Sequence, residues 1–342
     1  MNNINSWNDY LASAGAPVLT AGDLAKGFVA VVTGQDIIAV TGEEAASFLH
    51  GQLTNDVEHL GNAEARLAGY CTPKGRLLAS FLMWRNAESV FLQLPSELRA
   101  ALQKRLSMFV LRAKARLSDV SADTANAVVL GLGGANANAA LQPLLGAVPA
   151  APYARIDHAL GTIIRLADAF GSPRYQWLTS EETAREVLPA LRATLALGGN
   201  DAWRLSEIHA GIPQITLKTQ ELFVPQMINY ELLGGVNFKK GCYPGQEIVA
   251  RSQYLGKLKR RTALATIDSA DAAAGDEVFD VADPDQPCGM IVNAAPNGEG
   301  GVDALVELKL ASLEQGDIRL GSASGARLRF KPMPYALDAL EL

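Results

Sequence analysis

The sequence predicts a mixed α+β protein of several domains, and three observations support this prediction. The 342 residues would fill two or three domains at about 150 residues each. Residues 64–121 and 125–200 each alternate strand-like and helix-like runs, which is typical of a sheet covered by helices. After residue 260 the chain changes to short strands between turn residues, as in a closed barrel or sandwich. The expected order is therefore two α+β units followed by an all-β module.

Strands are predicted where β-branched and aromatic residues cluster, and helices where apolar residues recur at helical spacing. The turn Thr72-Pro73-Lys74-Gly75 separates two strands, because proline fixes φ and glycine permits a positive φ. Ser180 is the predicted N-cap of a helix that Gly198 ends. The predicted strands are 28–33, 36–40, 65–71, 77–85, 89–94, 115–121, 127–130, 162–167, 175–178, 261–267, 277–281, 289–294, 303–310, 317–320 and 326–330. The predicted helices are 6–14, 43–53, 95–111, 135–145, 180–197 and 201–210, the last with Asp201 as its N-cap.

Composition and charge exclude several classes of protein. Apolar residues form 49% and charged residues 19% of the chain, which is a globular rather than a disordered composition. A net charge of −6 disfavours nonspecific coating of DNA, although a local basic patch could still contact RNA. No signal peptide and no membrane-spanning apolar run is found, so we expect a protein of the reducing cytoplasm without a membrane partner. Walker A, GxSxG and HExxH motifs are absent, and Cys71, Cys242 and Cys288 fit no CxxC zinc site, so no metal is expected.

The segment 238–251 is the densest in residues that can carry chemistry. Cys242 stands in it beside two lysines, two glycines and several polar side chains. A free thiol has a pKa near ~8.5, so about 3% is thiolate at pH 7, and neighbouring lysines could raise that fraction. A thiolate here could act as a nucleophile or as an iron ligand. The alternative is a buried cysteine beside a turn.

Two further segments each have a binding and a structural interpretation. Residues 203–213 place Trp203 near polar side chains, which could bind a flat heterocycle by stacking or could pack as an ordinary amphipathic helix. The run Lys257-Leu258-Lys259-Arg260-Arg261 could contact RNA phosphates or could be the solvent-exposed beginning of a strand.

Several motifs together resemble the YgfZ family, which is related to the T-protein of glycine cleavage. The run Lys240-Gly241-Cys242-Tyr243-Pro244-Gly245-Gln246-Glu247 matches the family signature K-G-C-[FYW]-x-G-Q-E, which few other proteins carry. The resemblance extends over almost the whole chain. The other matching segments are 51–57, 74–76, 223–226, 229–231, 234–238 and 332–335.

The resemblance implies a three-domain cloverleaf around a central channel, with two ferredoxin-like α+β domains and a C-terminal β-barrel. The implied domains are 1–50 with 122–245, an inserted domain 51–121, and the barrel 246–342. Tetrahydrofolate or a one-carbon derivative is the implied cofactor. The implied role is to assist assembly or repair of iron–sulfur proteins, including enzymes that thiomethylate tRNA. Iron–sulfur proteins, their assembly factors and tRNA-modifying enzymes would then be partners, with direct tRNA contact left open.

By the same resemblance, Cys242 is the functional thiol, and Lys240 would favour its thiolate. Trp203, with Arg204 and His209, would line the folate channel. The other implied folate-binding residues belong to the signature and the residues after it: Gly241, Tyr243, Gly245, Gln246, Glu247 and Arg251.

Two positions depart from the T-protein pattern. The position of a catalytic aspartate is Ala79, which has no carboxylate to move a proton, so aminomethyltransferase activity is not expected. The position of a glutamate that holds the pterin edge is His209, and Glu207, two residues away, is expected to face elsewhere. The alternatives to an accessory role are a folate-dependent one-carbon transferase or demethylase and a tRNA-binding module using residues 239–261.

Overall fold

The computed structural model describes residues 16–337 apart from Arg112, Thr124, Asn126 and Lys257, so the predicted helix 6–14 lies outside the described residues. In this part of the chain, three β-sheets and the helices packed on them form a mixed α+β fold, as the sequence predicts. The strands are β1 Phe28–Val32, β2 Gln35–Thr41, β3 Ala65–Cys71, β4 Leu77–Arg85, β5 Ser89–Pro95, β6 Arg116–Asp119, β7 Val128–Gly133, β8 Arg155–His158, β9 Gly161–Ala169, β10 Ser172–Thr179, β11 Ala196–Gly198, β12 Arg260–Ile267, β13 Glu277–Asp280, β14 Asp283–Pro296, β15 Val302–Lys309, β16 Ile318–Leu320 and β17 Leu328–Lys331. The helices are α1 Ala21–Lys26, α2 Ala45–His50, α3 Ser96–Val110, α4 Ala137–Leu145, α5 Glu181–Arg192, α6 Asn200–His209, α7 Gln246–Tyr254 and α8 Leu310–Gln315, with a short 3-10 helix at Pro225–Ile228. None of these helices is long and apolar enough to cross a membrane.

The smallest sheet has the strand order β3-β4-β5-β2-β6. The predicted sequence of three strands, a helix and a fourth strand at 64–121 is confirmed by β3, β4, β5, α3 and β6. Helix α3 buries Leu98, Leu102 and Leu106, which recur every four residues and therefore share one face. Strand β2 pairs with β5 and β6 although it lies before residue 50. The predicted domain boundaries stay a prediction.

The central sheet has the order β11-β1-β7-β10-β9-β8. Strand β1 is buried along its whole length, with Phe28 in one core and Val29 in another, because successive side chains point to opposite faces. Helices α4 and α5 cover the Val29 face, and α6 packs on the Phe28 face. The central sheet is thus covered on both sides.

One predicted helix is too long. Ser180 is the N-cap of α5 as expected, and its hydroxyl accepts from the Thr183 amide at 3.1 Å. The helix ends at Arg192, however, and β11 runs parallel to β1. The Ala196 amide donates to the Gly27 carbonyl at 3.0 Å, so pairing with a free strand edge overrides the helical pattern. The predicted N-cap of α6 is also wrong, because Gly199 occupies that position and Asp201 lies in the first turn.

The C-terminal sheet has the order β16-β13-β14-β15-β12-β17. A bridge between Arg319 and Arg327 links β16 to the residue before β17, so the sheet has a barrel-like form. The predicted all-β module is therefore confirmed in its strands, although it also contains the unpredicted helix α8. The cloverleaf and the ferredoxin-like domains stay predictions.

Helix α6 lies where the sheets meet. It packs against β1 and β9 of the central sheet and against β14 and β15 of the C-terminal sheet. One hydrophobic core joins all three sheets through residues such as Phe28, Leu92 and Leu305. This junction determines where the candidate site forms.

Candidate functional site

A narrow cavity lies beside α6, between the smallest sheet and the central sheet. Its free volume is about 50 Å³, which suffices for a few water molecules. Strands β4, β5 and β10 supply polar side chains to its wall, and α6 supplies an aromatic ring and a carboxyl group. The polar residues that line it include Ser80, Gln93, Arg174, Gln176, Glu207 and Gln214.

Trp203, one of the predicted folate-binding residues, lines this cavity. Its side chain is 2% exposed, and its ring lies over the backbone of Gly131. A Cβ built on Gly131 would lie 2.1 Å from the ring atom Cε3, so only glycine fits beneath the indole. Gly131 in strand β7 therefore serves the packing of this ring.

Arg174 also contacts the indole. Its guanidinium carbon lies 4.5 Å from the Trp203 ring centroid, a cation–π distance. Its Nε donates to Ser206 Oγ at 3.0 Å, whereas its buried Nη2 has no hydrogen-bond partner among the described residues. Burial lowers the pKa of this guanidinium to about 10. A buried cation with an unused donor can offer that donor to a bound acceptor.

Glu207 also lines the cavity, contrary to the expectation that it faces elsewhere. It lies four residues after Trp203, so the two side chains share one helical face. Burial raises the pKa of the Glu207 carboxyl to about 7, while Arg174 and Arg204 act in the opposite direction. Gln214 Nε2 donates to its Oε1 at 3.0 Å. In the sequence, the four-residue spacing from Trp203 to Glu207 was the signal that places this carboxyl on the cavity side of the helix. The two-residue spacing from Glu207 to His209 does not give this information.

His209 does not line the cavity. Its Nε2 lies 2.6 Å from Oδ2 of Asp303 in β15, and its ring lies 4.5 Å from that of Phe170. His209 therefore fastens α6 to the C-terminal sheet. Arg204 is exposed and donates to the Ala294 carbonyl at 3.1 Å, so it too lies outside the cavity wall.

Ala79 is fully buried, and its neighbour Ser80 supplies the hydroxyl that lines the cavity. Ser80 Oγ accepts from the Ile215 amide at 3.0 Å. Among the described lining residues, Glu207 is the one carboxylic acid. The cavity thus has an acid, but it comes from α6 rather than from β4.

The signature residues lie on a separate loop that ends at the start of α7. Gly245 is the N-cap of α7 with φ +80°, in the left-handed region that favours glycine. A Cβ on Gly245 would lie 2.4 Å from the Thr72 carbonyl oxygen and 2.6 Å from the Gly75 nitrogen. The predicted turn at 72–75 therefore packs backbone to backbone against the signature loop.

Cys242 is exposed on this loop, whereas Cys71 and Cys288 are buried. All three thiols are free. Burial raises the pKa of the Cys71 thiol to about 12. Cys242 is thus the accessible thiol of the three.

Lys240 points inward from the same loop. Its Nζ donates to the carbonyls of His50, Leu53 and Gly241 at 2.6, 3.1 and 3.2 Å. It also lies 4.8 Å from the Tyr243 ring centroid. Burial lowers the pKa of Lys240 to about 8, although Asp56 and Cys242 act in the opposite direction. Lys240 therefore anchors the loop to the carboxyl end of α2, where cations are favoured.

The other signature residues support the loop from outside the cavity. Gln246 Nε2 reaches the Gly241 carbonyl at 3.5 Å, and Glu247 pairs with Arg251 at 2.9 Å on the exposed side of α7. None of the predicted folate-binding residues from 241 to 251 lines the central cavity. The structure thus divides the predicted site into a cavity and a thiol loop.

Comparisons with known proteins identify the family. No family model matches the chain. The tRNA-modifying protein YgfZ of Edwardsiella ictaluri is 30% identical over 308 residues, which cover 89% of this chain and 91% of that protein. The protein of the same name from Photorhabdus laumondii is 30% identical over 306 residues, which cover 88% of this chain and 90% of that protein. The chain belongs to the YgfZ family.

A solved structure agrees with the fold of this YgfZ-family chain. The glycine cleavage system aminomethyltransferase T from Bartonella henselae matches with a TM-score of 0.71 over 92% of this chain and 88% of that protein. The sequence identity is 16%, so the likeness shows the fold alone.

In the basic run 257–261 of this YgfZ-family chain, both arginines form ion pairs. Arg260 pairs with Glu307, and Arg261, which is 5% exposed, pairs with Glu231 in the core. Lys259 is exposed, and Lys257 lies outside the described residues. Of the described residues in this run, both arginines are thus paired with carboxylates, and the prediction of direct RNA contact stays a prediction. No group of three or more His, Cys, Asp or Glu in the described part of the chain is arranged to hold a metal ion.

Proposed function

We propose that this chain binds tetrahydrofolate, or a one-carbon derivative of it, in the central cavity. We further propose that it acts as an accessory protein in the assembly or repair of iron–sulfur enzymes that modify tRNA. The observation that supports this best is the arrangement of Trp203, Arg174 and Glu207 on one cavity wall. The name of the relatives, tRNA-modifying protein, supports the link to tRNA.

The polar groups of the cavity suit a pterin ring. A pterin carries N–H donors and a carbonyl acceptor on one edge, and the Glu207 carboxylate and the unused Arg174 Nη2 are complementary to them. Trp203 offers an apolar surface beside these groups. Because a pterin exceeds the present 50 Å³, side chains of the wall must move when it binds. Bound folate would supply a carrier for one-carbon groups.

Cys242 is the proposed reactive thiol of the accessory function. It is exposed on the loop, while Lys240 and Gly245 fix the loop on the rest of the fold. A partner protein can therefore reach the thiol without unfolding the loop.

The folate proposal is tested by calorimetric titration of tetrahydrofolate into the wild type and Trp203→Ala. We expect binding to the wild type, weakened in the variant by about 1–3 kcal/mol through loss of aromatic contact area. Tyr254→Ala, which removes an exposed aromatic ring, is the control and should bind like the wild type. Absence of binding to the wild type would contradict the proposal.

The role of the thiol is tested in cells by measuring thiomethylated tRNA. Cys242→Ala should abolish support of this modification without lowering the thermal unfolding temperature, because the side chain is exposed. Cys288→Ala, at a buried thiol of β14, is the matched control and should keep it. Normal modification in the Cys242 variant would remove the thiol from the function.

A one-carbon transferase remains the second candidate, and Glu207 favours it. A carboxyl with a pKa raised to about 7 can exchange protons near neutral pH, which Ala79 cannot. The discriminating measurement is turnover: formation of a one-carbon folate adduct faster with protein than without it. Turnover that Glu207→Gln abolishes would favour the enzyme over the accessory protein.

A further inference from the structure

A histidine and an aspartate lie beneath the thiol loop. His50 is the last residue of α2, and its Nδ1 lies 3.1 Å from Asp56 Oδ1. Both side chains are 14% exposed. A hydrogen bond of Nδ1–H to a carboxylate fixes the imidazole tautomer and leaves Nε2 as the acceptor. The pair therefore presents a base on one side of the ring.

The free side of this ring faces the loop that carries Cys242. A Cβ built on Gly241 would lie 3.6 Å from His50 Nε2 and 3.9 Å from Cδ2. Lys240 Nζ donates to the His50 carbonyl at 2.6 Å, so the loop and the histidine share one anchor. In the described part of the chain, neither His50 Nε2 nor Cys242 Sγ has a hydrogen-bond partner.

We propose that His50 is the general base that deprotonates Cys242, with Asp56 as its positioning residue. The inference rests on the proposed function of Cys242 as the reactive thiol. The Sγ–H bond breaks, the proton moves to Nε2, and the electron pair remains on sulfur, so a thiolate–imidazolium pair results. The nucleophile, the base and the carboxylate that orients the base have the same roles here as the members of a catalytic triad. The step requires Cys242 Sγ to approach Nε2, and such contacts are often loose before a reaction partner binds.

Several charged groups surround the pair. Glu58 Oε2 lies 3.9 Å from His50 Nδ1. The Lys240 ammonium lies on the same loop as Cys242 and donates to the carbonyls of His50 and Leu53. Other charged groups on the adjoining elements are exposed: Lys74 on the 72–75 turn, Lys239 on the loop, and Glu247 and Arg251 on α7. The last two pair with each other.

His59 provides a matched control for His50. Its Nδ1 bonds the other carboxylate oxygen of Asp56 at 2.8 Å, but its side chain is 79% exposed. It therefore shares the aspartate with His50 without being buried beneath Gly241. Removing either imidazole removes one partner of Asp56, whereas only His50 is proposed to accept the thiol proton.

The test is the rate of Cys242 alkylation by iodoacetamide from pH 5 to 10, followed on the Cys242 peptide by mass spectrometry. In the wild type we expect the midpoint of the profile below the ~8.5 of an ordinary thiol. His50→Gln should slow alkylation at pH 7 by about tenfold and move the midpoint up by about one unit. Asp56→Asn should move it in the same direction by less, and His59→Gln should leave it unchanged.

Three results would overturn the inference: a wild-type midpoint at an ordinary value, an unchanged midpoint in a folded His50→Gln, or equal shifts in His50→Gln and His59→Gln. Should His50→Gln fail to fold, Asp56→Asn decides by itself, since an unchanged midpoint there also contradicts the arrangement. Failure of the proposed function is a separate outcome. In that case the alkylation profile would be as expected while Cys242→Ala still supported tRNA modification.

Discussion

The central cavity and the thiol loop place their polar groups in opposite environments. In the cavity, Arg174 and Glu207 are withdrawn from solvent. Burial lowers the pKa of Arg174 and raises the pKa of Glu207, so it favours the neutral form of both groups. On the loop, Cys242 is exposed, whereas the anchor Lys240 and the ring of Tyr243 are buried. The cavity therefore suits recognition of an enclosed ring, and the loop suits chemistry on a partner. Because the two regions are separate, substitutions in one can leave the other intact.

The largest expected contrast is in stability. Trp203→Ala should lower the free energy of unfolding by about 3–5 kcal/mol, because it removes a large buried side chain at the junction of the sheets. Cys242→Ala should change it by less than about 0.5 kcal/mol, as is usual for an exposed side chain. Urea denaturation of both variants measures the difference. Equal stabilities would mean that the indole is not part of the packed core.

The buried Glu207 carboxyl of the cavity should also affect how the stability of the protein depends on pH. Glu207 has a folded pKa of about 7 against 4.5 for the free group, so the folded state binds more protons between these values. The wild type therefore loses stability as the pH rises from about 4.5 to about 7. Glu207→Gln should remove this loss and be more stable than the wild type at pH 8 by about 1–3 kcal/mol.

Urea denaturation at pH 4.5, 6 and 8 measures this effect. Glu182→Gln, at an exposed position of α5, should follow the wild type throughout. A Glu207→Gln curve parallel to that of the wild type would show that the carboxyl is not buried as described.

Within the loop, substitution of two signature glycines should have different effects on stability. Gly245→Ala should lower stability by about 1–3 kcal/mol, because its positive φ and the close Thr72 carbonyl both oppose a side chain. Gly241→Ala should cost less than about 0.5 kcal/mol, because a Cβ there meets nothing closer than 3.6 Å. Thermal unfolding compares the two, and equal losses would contradict the close packing of the loop on the 72–75 turn.

The sequence by itself determined the local elements and the accessible thiol. Short-range spacing predicted β3, β4, β5 and α3, because their signals lie within each segment. The turn at 72–75 and the N-cap Ser180 were also predictable, since φ preferences and side-chain caps are local properties. The signature motif indicated Cys242 without any knowledge of its neighbours.

Only the tertiary structure decided which polar groups meet. Arg174 on β10 reaches Trp203 on α6, and Arg261 pairs with Glu231, across distances along the chain that no local pattern encodes. The same holds for β11, which exists because β1 offers a free edge. Glu207 rather than His209 faces the cavity because the neighbouring sheets determine which side of α6 is enclosed. Helical spacing shows which residues share a face, but packing determines what that face contacts.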